Sequence, residues 1–460
     1  MGHGHRLRDR ASARAQDPAR PHPHGRLGGQ GALRARTASE EAAGAGEQCD
    51  HRVWRHLLCV RFFRQGVSPQ GSAGPALNRA STNQPWSETM QHERRYETAE
   101  HVLPGHPDKL CDAAVDGIVD ALRQLDPKAQ CGLEMACVFN EVVLTGRIAA
   151  CEEAITKFQE QGGCKPLIRK AYQNAGYGTD EGGMDWKPFS GELSIREHLC
   201  LGPFEEEERD LRHLSDDQAI CVGYASADAG IDHLPPAVWL ARRIARKLVE
   251  LRSEIALGHV GPDGKVLVRV ENGGRRWKPV HVSLSLSHHV QSDWLMLRRL
   301  GEAAVETACS GHSTPEVSLN RAGMFISVGP NGDNGLSGKK LVVDAYGPGV
   351  PIGGGAWSGK DFHKVDRLGG LLARKLARQC VTPGRDQDAL VTLEYHPGAE
   401  APNIVGVRIA GQPCTDALSS LLPRDLSNSM VWASFKECPV PLPELALWGH
   451  QQSGMPWENE

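Results

Sequence analysis

Single stretches of helical apolar spacing, each set between runs with strand patterning, constrain this chain's fold more than any other feature. After Gly105, the residues Leu110, Ala113, Ala114, Ile118, Ala121, Leu122 and Leu125 recur at helical intervals. Pro107 suits the first turn of that helix, and Asp108 lies where negative charge meets the helix dipole favourably. A second helix is predicted after Pro235-Pro236, with Leu240, Ile244, Leu248 and Leu251 on one face. Arg242, Arg243, Arg246 and Lys247 would line its other side as a solvated basic face. A third starts near Val365 and carries Leu368, Leu371, Leu372 and Leu376. Val142–Leu144, Val266–Val270, Val282–Leu286, Leu341–Tyr346, Ala389–Tyr395 and Ile404–Ile409 read as strands. Strands interrupted by single helices predict an α+β protein of mixed domains, with each sheet covered on one face.

The 460 residues suffice for two or three such domains. Residues 1–92 stand apart, rich in Arg, Ala, Gly, His and Pro and without periodicity. Such a segment buries too little apolar surface to repay its ordering entropy, so a disordered extension is expected there. Its Arg-rich start resembles a transit peptide, but Glu40, Glu41 and Glu47 follow, and no apolar core of a secretory signal is present. Within it, Leu57–Phe63 is the one cluster suited to docking. A net charge of -4 argues against a dedicated nucleic-acid binder, and no apolar run approaches the roughly 20 residues that span a bilayer. The thirteen cysteines form no C-x-x-C pair. Cys111, Cys131, Cys137, Cys221 and Cys380 lie in apolar stretches, as small core-filling thiols of a reducing cytoplasm do.

The densest chemistry lies at Gly353-Gly354-Gly355-Ala356-Trp357-Ser358-Gly359-Lys360-Asp361, followed by Lys364, Asp366 and Arg367. Glycines let backbone N–H groups approach an anion, Lys360 and Lys364 supply countercharge, and Asp366 offers oxygen to Mg²⁺. The lysine spacing is not that of a Walker A loop. Alone, a glycine run serves equally as an ordinary turn; two lysines and an aspartate favour a polyphosphate site. A second glycine-rich loop, Gly329–Lys340, ends in paired lysines. His106, alone, would pass as a structural or exposed histidine, but Asp108 and Lys109 follow it at a helix N-terminus suited to anions.

These segments, in this order, resemble those of methionine adenosyltransferases (S-adenosylmethionine synthetases), which carry GHPDK, then GPxGDxGLTGRK, then GGGAFSGKDxxKVDR. Here they read Gly105–Lys109, Gly329–Lys340 and Gly353–Arg367, with weaker matches at Asp217-Gln218, Gly223-Tyr224-Ala225 and Pro262–Lys265. The resemblance covers roughly Glu93 to the C-terminus. It implies three related mixed α/β domains in a pseudo-threefold arrangement, here 93–195, 214–327 and 328–457. It also implies transfer of the ATP adenosyl group to L-methionine in the cytoplasm, followed by tripolyphosphate hydrolysis. The cofactors would be two Mg²⁺ per site and K⁺, in a homodimer or homotetramer with shared active sites. By resemblance His106 would approach the 5′ oxygen as its bond to carbon breaks, with Lys265, Lys340 and Lys360 as catalytic partners. Asp263, Lys265, Asp333, Lys339, Lys340, Lys360 and Lys364 would bind ATP and its polyphosphate, and Asp217 and Asp333 the substrate. Asp108 and Asp366 would hold Mg²⁺, and Glu134 K⁺.

Four positions depart from the family pattern. Arg147 in Gly146-Arg147-Ile148 replaces a glutamate that meets the methionine ammonium, and a guanidinium there should repel it. Leu201–Glu208 stands where the family has a different gate segment, Lys339-Lys340 replaces Arg-Lys, and Ile352 replaces a histidine. The phosphate and metal half is retained, while the amino-acid half is altered. The expectation is a divergent enzyme with weakened or changed amino-acid selectivity. The alternatives are an ATP or tripolyphosphate hydrolase and a catalytically weak homologue serving as a subunit.

Overall fold

The computed structural model describes residues 95–178, 186–211, 213–254, 260–272, 276–382, 387–414 and 425–459. The 1–92 extension and its Leu57–Phe63 cluster lie outside them. The strands are β1 (Arg95–Val102), β2 (Gln130–Val138), β3 (Glu141–Ala149), β4 (Ser194–Gly202), β5 (Ala219–Ser226) and β6 (Val260–Asn272). They continue with β7 (Trp277–His288), β8 (Glu316–Leu319), β9 (Gly335–Leu336), β10 (Asp388–Tyr395), β11 (Asn403–Ile409) and β12 (Gln412–Pro413). The helices are α1 (Pro107–Leu125), α2 (Glu152–Glu160), α3 (Cys164–Ala175), α4 (Glu206–Asp210) and α5 (Pro236–Glu254). After these come α6 (Trp294–Ala308), α7 (Leu341–Asp344), α8 (Val365–Cys380), α9 (Asn428–Phe435) and α10 (Leu442–Trp448).

The strands form three four-stranded sheets, ordered β1-β6-β7-β8, β4-β3-β2-β9 and β12-β11-β10-β5. The three periodic stretches in the sequence form the three long helices α1, α5 and α8. Helix α5, with α6, covers the first sheet; α1 packs on β2 and β9; α8 packs on β5 and β10. Each helix buries its leucine stripe, and the strands alternate buried and exposed residues, as a sheet covered on one face requires. The open faces carry exposed Ile220, Leu267 and Val405. The five cysteines in apolar stretches are buried. Among the described residues no helix is long and apolar enough to cross a membrane.

Two sequence expectations need correcting. Leu341–Tyr346 does not form a strand; Leu341–Asp344 is a short helix. Arg242 donates to the carbonyls of Val343, Asp344 and Ala345 at 3.2–3.3 Å, so side-chain donors satisfy a backbone that a strand ladder would otherwise have to satisfy. Arg242 is also the second correction, because it is buried rather than solvated and holds Gln451 at 2.8 Å. Helix α5 packs on more than one side, and Arg243 and Arg246 lie over Trp239 and Trp448. Lys247 pairs with Glu250, an exposed contact that matches a solvated face.

Candidate active site

His106 is the N-cap of α1, with extended backbone angles (φ -61°, ψ 132°), and its Nδ1 accepts the Asp108 N–H at 3.2 Å. The imidazole is only 2% exposed. The preceding turn is fixed to β6, since Gly105 N–H donates to Pro262 O at 3.1 Å and Leu103 N–H to Gly264 O at 2.9 Å. That docking brings Lys265 beside the histidine. The Gly329–Lys340 loop is held from below by carboxylates: Asp263 accepts Gly329 N–H at 3.0 Å, Asp108 accepts Leu336 N–H at 3.0 Å, and Asp112 accepts Gly338 N–H at 2.7 Å. The approach is close enough that a Cβ at Gly335 would lie 2.4 Å from the Pro107 carbonyl oxygen. Lys339 and Lys340 are thereby set 3.5 and 3.4 Å from the Asp108 oxygens.

Burial, then Lys265 and Lys340, lower the His106 pKa to about 3, with Asp333 pulling weakly the other way. The ring is therefore neutral at physiological pH. Because Nδ1 accepts a hydrogen bond, the proton belongs on Nε2, assigned from the bonding pattern. The result is a neutral donor ringed by ammonium groups.

A second set lies on the Gly353–Arg367 loop. Lys360 pairs with Asp366 at 2.5 Å, and Lys364 pairs with Asp216. Burial pulls the Lys364 ammonium down, but Asp216, with Asp361 and Asp217, more than offsets it, and the pKa is raised overall. The loop is anchored by Asp116 of α1, which accepts Gly359 N–H at 2.8 Å and meets Arg367 Nη2 through both oxygens at 2.7 Å. Asp361 accepts Cys131 N–H at 2.6 Å. Gly355 is required here, since a Cβ would lie 1.9 Å from an Asp366 oxygen. A shallow cleft is lined by Ile220 and Cys221 of β5, by Asp344, and by Gly353, Gly355 and Asp366.

The structure thus gathers His106, Asp108, Asp263, Lys265, Asp333, Lys339 and Lys340 into one set, and Lys360, Lys364 and Asp366 into another. Among the described residues, no hydrogen bond or ion pair joins the two. Asp217 is exposed and bonds its neighbour Gln218 N–H at 2.7 Å, while Asp216, which sequence reasoning passed over, holds Lys364. Only its adjacency to Asp217 could have flagged it. Glu134 is exposed on β2, opposite Thr145. Mg²⁺ binds through one or two carboxylates plus substrate phosphates, and Asp108 and Asp366, each a carboxylate beside lysines, suit that mode. A potassium shell needs several oxygens, and among the described residues no group of three or more His, Cys, Asp or Glu side chains gathers at Glu134, so the fit there is incomplete.

Arg147 is not bare. Its guanidinium pairs with Glu208 through Nε–Oε1 at 2.9 Å and Nη2–Oε2 at 2.7 Å. The repulsion expected from Arg147 is therefore corrected: the carboxylate of Glu208 largely neutralises it.

Burial pushes the Asp263 carboxyl up to about 6, against the pull of the Gly329 N–H and Lys265, and its Oδ1 has no hydrogen-bond partner among the described residues. A folded-state pKa above the unfolded value favours stability below that unfolded value, and the benefit is lost as pH rises through about 6. Asp263→Asn should therefore gain on the order of 1–3 kcal/mol at pH 8 relative to pH 5, when each is compared with the unmodified protein. Urea unfolding at both pH values checks this; an unchanged pH slope would contradict it.

Three segments of the chain match family models. Residues 94–198 match the S-adenosylmethionine synthetase N-terminal domain, 213–332 the central domain and 327–458 the C-terminal domain. The chain is 32% identical over 343 residues to the S-adenosylmethionine synthase of Rhodospirillum centenum, covering 72% of this chain and 85% of that one. It is 33% identical over 335 residues to that of Methylobacterium radiotolerans, covering 69% and 81%. Among solved structures, one described as an unusual S-adenosylmethionine synthetase from Campylobacter jejuni superposes with a TM-score of 0.68. That match has 25% identity and covers 79% of this chain and 96% of the other.

Proposed function

The chain belongs to the S-adenosylmethionine synthetase family and is a methionine adenosyltransferase, and we propose that its reaction is carried by His106 and the lysines around it. ATP and methionine give S-adenosylmethionine: the sulfur attacks the ribose 5′ carbon, the bond from that carbon to the 5′ oxygen breaks, and tripolyphosphate departs. Water then cleaves the tripolyphosphate to phosphate and diphosphate before release. Negative charge grows on the 5′ oxygen as its bond to carbon breaks, so fixed donors aimed there lower the barrier. The observation that carries this reading is the buried, neutral His106 with its Nε2–H available, set among Lys265, Lys339 and Lys340. A neutral ring holds its proton at Nε2 throughout and orients toward the leaving oxygen without prior deprotonation.

Lys265, Lys339 and Lys340 hold the polyphosphate on the histidine side, and Lys360 and Lys364 on the other. Asp263 fixes the loop that presents Asp333 and the paired lysines to ATP, and Asp217 and Asp333 contact the substrate. Asp108 and Asp366 would hold Mg²⁺, which would supply neutralisation of the leaving-group charge. No step is assigned to potassium, although the family generally uses it. Among the described residues no hydrogen bond or ion pair joins the two lysine sets within one chain. A homodimer or homotetramer with shared active sites follows from the family likeness as part of this reading, and the exposed Ile220, Leu267 and Val405 on the sheet faces suit burial between subunits. Buried thiols and an ATP substrate fit a cytoplasmic reaction.

Incubation with ATP, Mg²⁺ and K⁺, with and without methionine, tests the proposal. Methionine-dependent formation of equimolar S-adenosylmethionine, phosphate and diphosphate is expected. Phosphate release that ignores methionine would instead indicate an ATP hydrolase.

A further inference from the structure

Resting on that adenosyl-transfer reading, we propose that Arg147 and Glu208 form a latch that holds residues 203–211 in place before substrate binds and so sets the amino-acid side of the site. The guanidinium makes more bonds than the pair itself. Arg147 Nη2 also donates to Pro203 O at 2.9 Å, and Nη1 donates to Ile148 O at 3.1 Å and Cys200 O at 3.4 Å. One side chain on β3 thus binds the end of β4, the connecting turn and α4, using the full donor set of a planar guanidinium.

Glu208 is equally committed. Its Oε2 accepts the Glu205 N–H at 2.9 Å, closing a capping box on α4, and its backbone carbonyl accepts Gln130 Nε2 at 3.1 Å. Helix α4 has five residues, too few to persist without outside contacts. Its position is therefore set by Arg147 through the side chain and by β2 through the backbone. The hydrogen bond from Arg147 holds the Glu208 carboxyl below its ordinary value, with Lys364 adding to the effect. Lys364 is also the partner of Asp216, a few residues further along the same connection. The connection is therefore fixed at two points, one on the altered amino-acid side and one on a polyphosphate lysine. Charge follows the same logic: paired, Arg147 and Glu208 are together neutral and do not repel an ammonium, whereas either alone leaves a net charge beside the site.

Arg147 and Glu208 are positioning residues, and Arg147→Met and Glu208→Gln test them with two readouts. The first is amide hydrogen exchange of residues 203–211 in the substrate-free protein, which does not depend on catalysis. The second is KM for methionine set against KM for ATP and kcat. Each single variant is expected to speed exchange in this segment by about tenfold. Methionine KM should rise by a similar factor while ATP KM and kcat move much less, and Glu208→Gln, which bares the guanidinium, should raise it most. The double variant should exchange no faster than Arg147→Met alone, because both remove one interaction. Exchange within about twofold of the unmodified protein in both singles, or effects that multiply in the double, overturns the latch. Faster exchange with methionine and ATP KM rising together overturns its role on the amino-acid side. A protein that forms no S-adenosylmethionine overturns the catalytic reading instead, and the exchange data still decide the latch.

Discussion

Replacing His106 with asparagine should leave the fold intact and lower kcat by a factor of about 10² to 10³. The two roles of this residue sit on different ring nitrogens. Nδ1 caps α1 by accepting the Asp108 N–H, and asparagine Oδ1 can take that place. In the proposed mechanism Nε2 would carry the proton aimed at the leaving oxygen, and the shorter asparagine would not reach it. His106→Ala removes both and should add a helix-capping loss of about 1 kcal/mol to the same kinetic defect. Steady-state kinetics and thermal melts separate the two. Because burial and the neighbouring lysines hold the imidazole pKa at about 3, the unmodified enzyme should show no rate inflection from this group between pH 6 and 8. In stability the sign is opposite to that of Asp263. A histidine with a lowered folded-state pKa supports the fold above its unfolded value of 6.5, and that support is lost as pH falls toward 3. Kinetics of His106→Asn matching the unmodified protein would remove the histidine from the mechanism.

The second large effect is thermodynamic. Asp116→Ala should destabilise the protein by about 3–5 kcal/mol, lowering Tm by roughly 5 °C, and should lower activity as well. Asp116 and Arg367 are both fully buried, and this carboxylate is the ion-pair partner of that guanidinium. Removing it strands a positive charge in the interior. It also releases the Gly359 N–H, which lies next to Lys360, while Arg367 lies next to Asp366. One carboxylate on α1 therefore fixes Gly359 and Arg367, on either side of Lys360 and Lys364. A thermal melt and a methionine-saturated rate check the two consequences, and an unchanged Tm would contradict this account of the loop.

Much of this was legible in the sequence because it is written locally. The three helices announce themselves through leucine spacing, and the Lys360–Asp366 pair lies within one motif. The contacts that fix the loops are different in kind. Asp116 and Arg367 are 251 positions apart, Arg147 and Glu208 are 61 apart, and Lys364 and Asp216 are 148 apart. No local period relates such partners; each follows from the docking of separate elements. The same cause explains the misread elements. Leu341–Tyr346 has strand-like composition, but Lys109 and Arg242 of two other helices take up its Asp344 side chain and its carbonyls. Arg242 reads as a surface cation until the C-terminal segment bearing Gln451 packs over it. Arg147 read alone predicts repulsion, and only the fold supplies the carboxylate that cancels it.

The central claim is that the carbon–oxygen bond at the ribose 5′ position is the one that breaks. ATP carrying ¹⁸O in the bridge between that carbon and the α-phosphorus tests it directly when turned over with methionine and Mg²⁺. The account predicts that all of the label leaves with the phosphate and diphosphate, and that none stays with the nucleoside. Label retained in a nucleotide product would mean phosphorus–oxygen cleavage, and the assignment of His106 and its lysines to adenosyl transfer would be wrong.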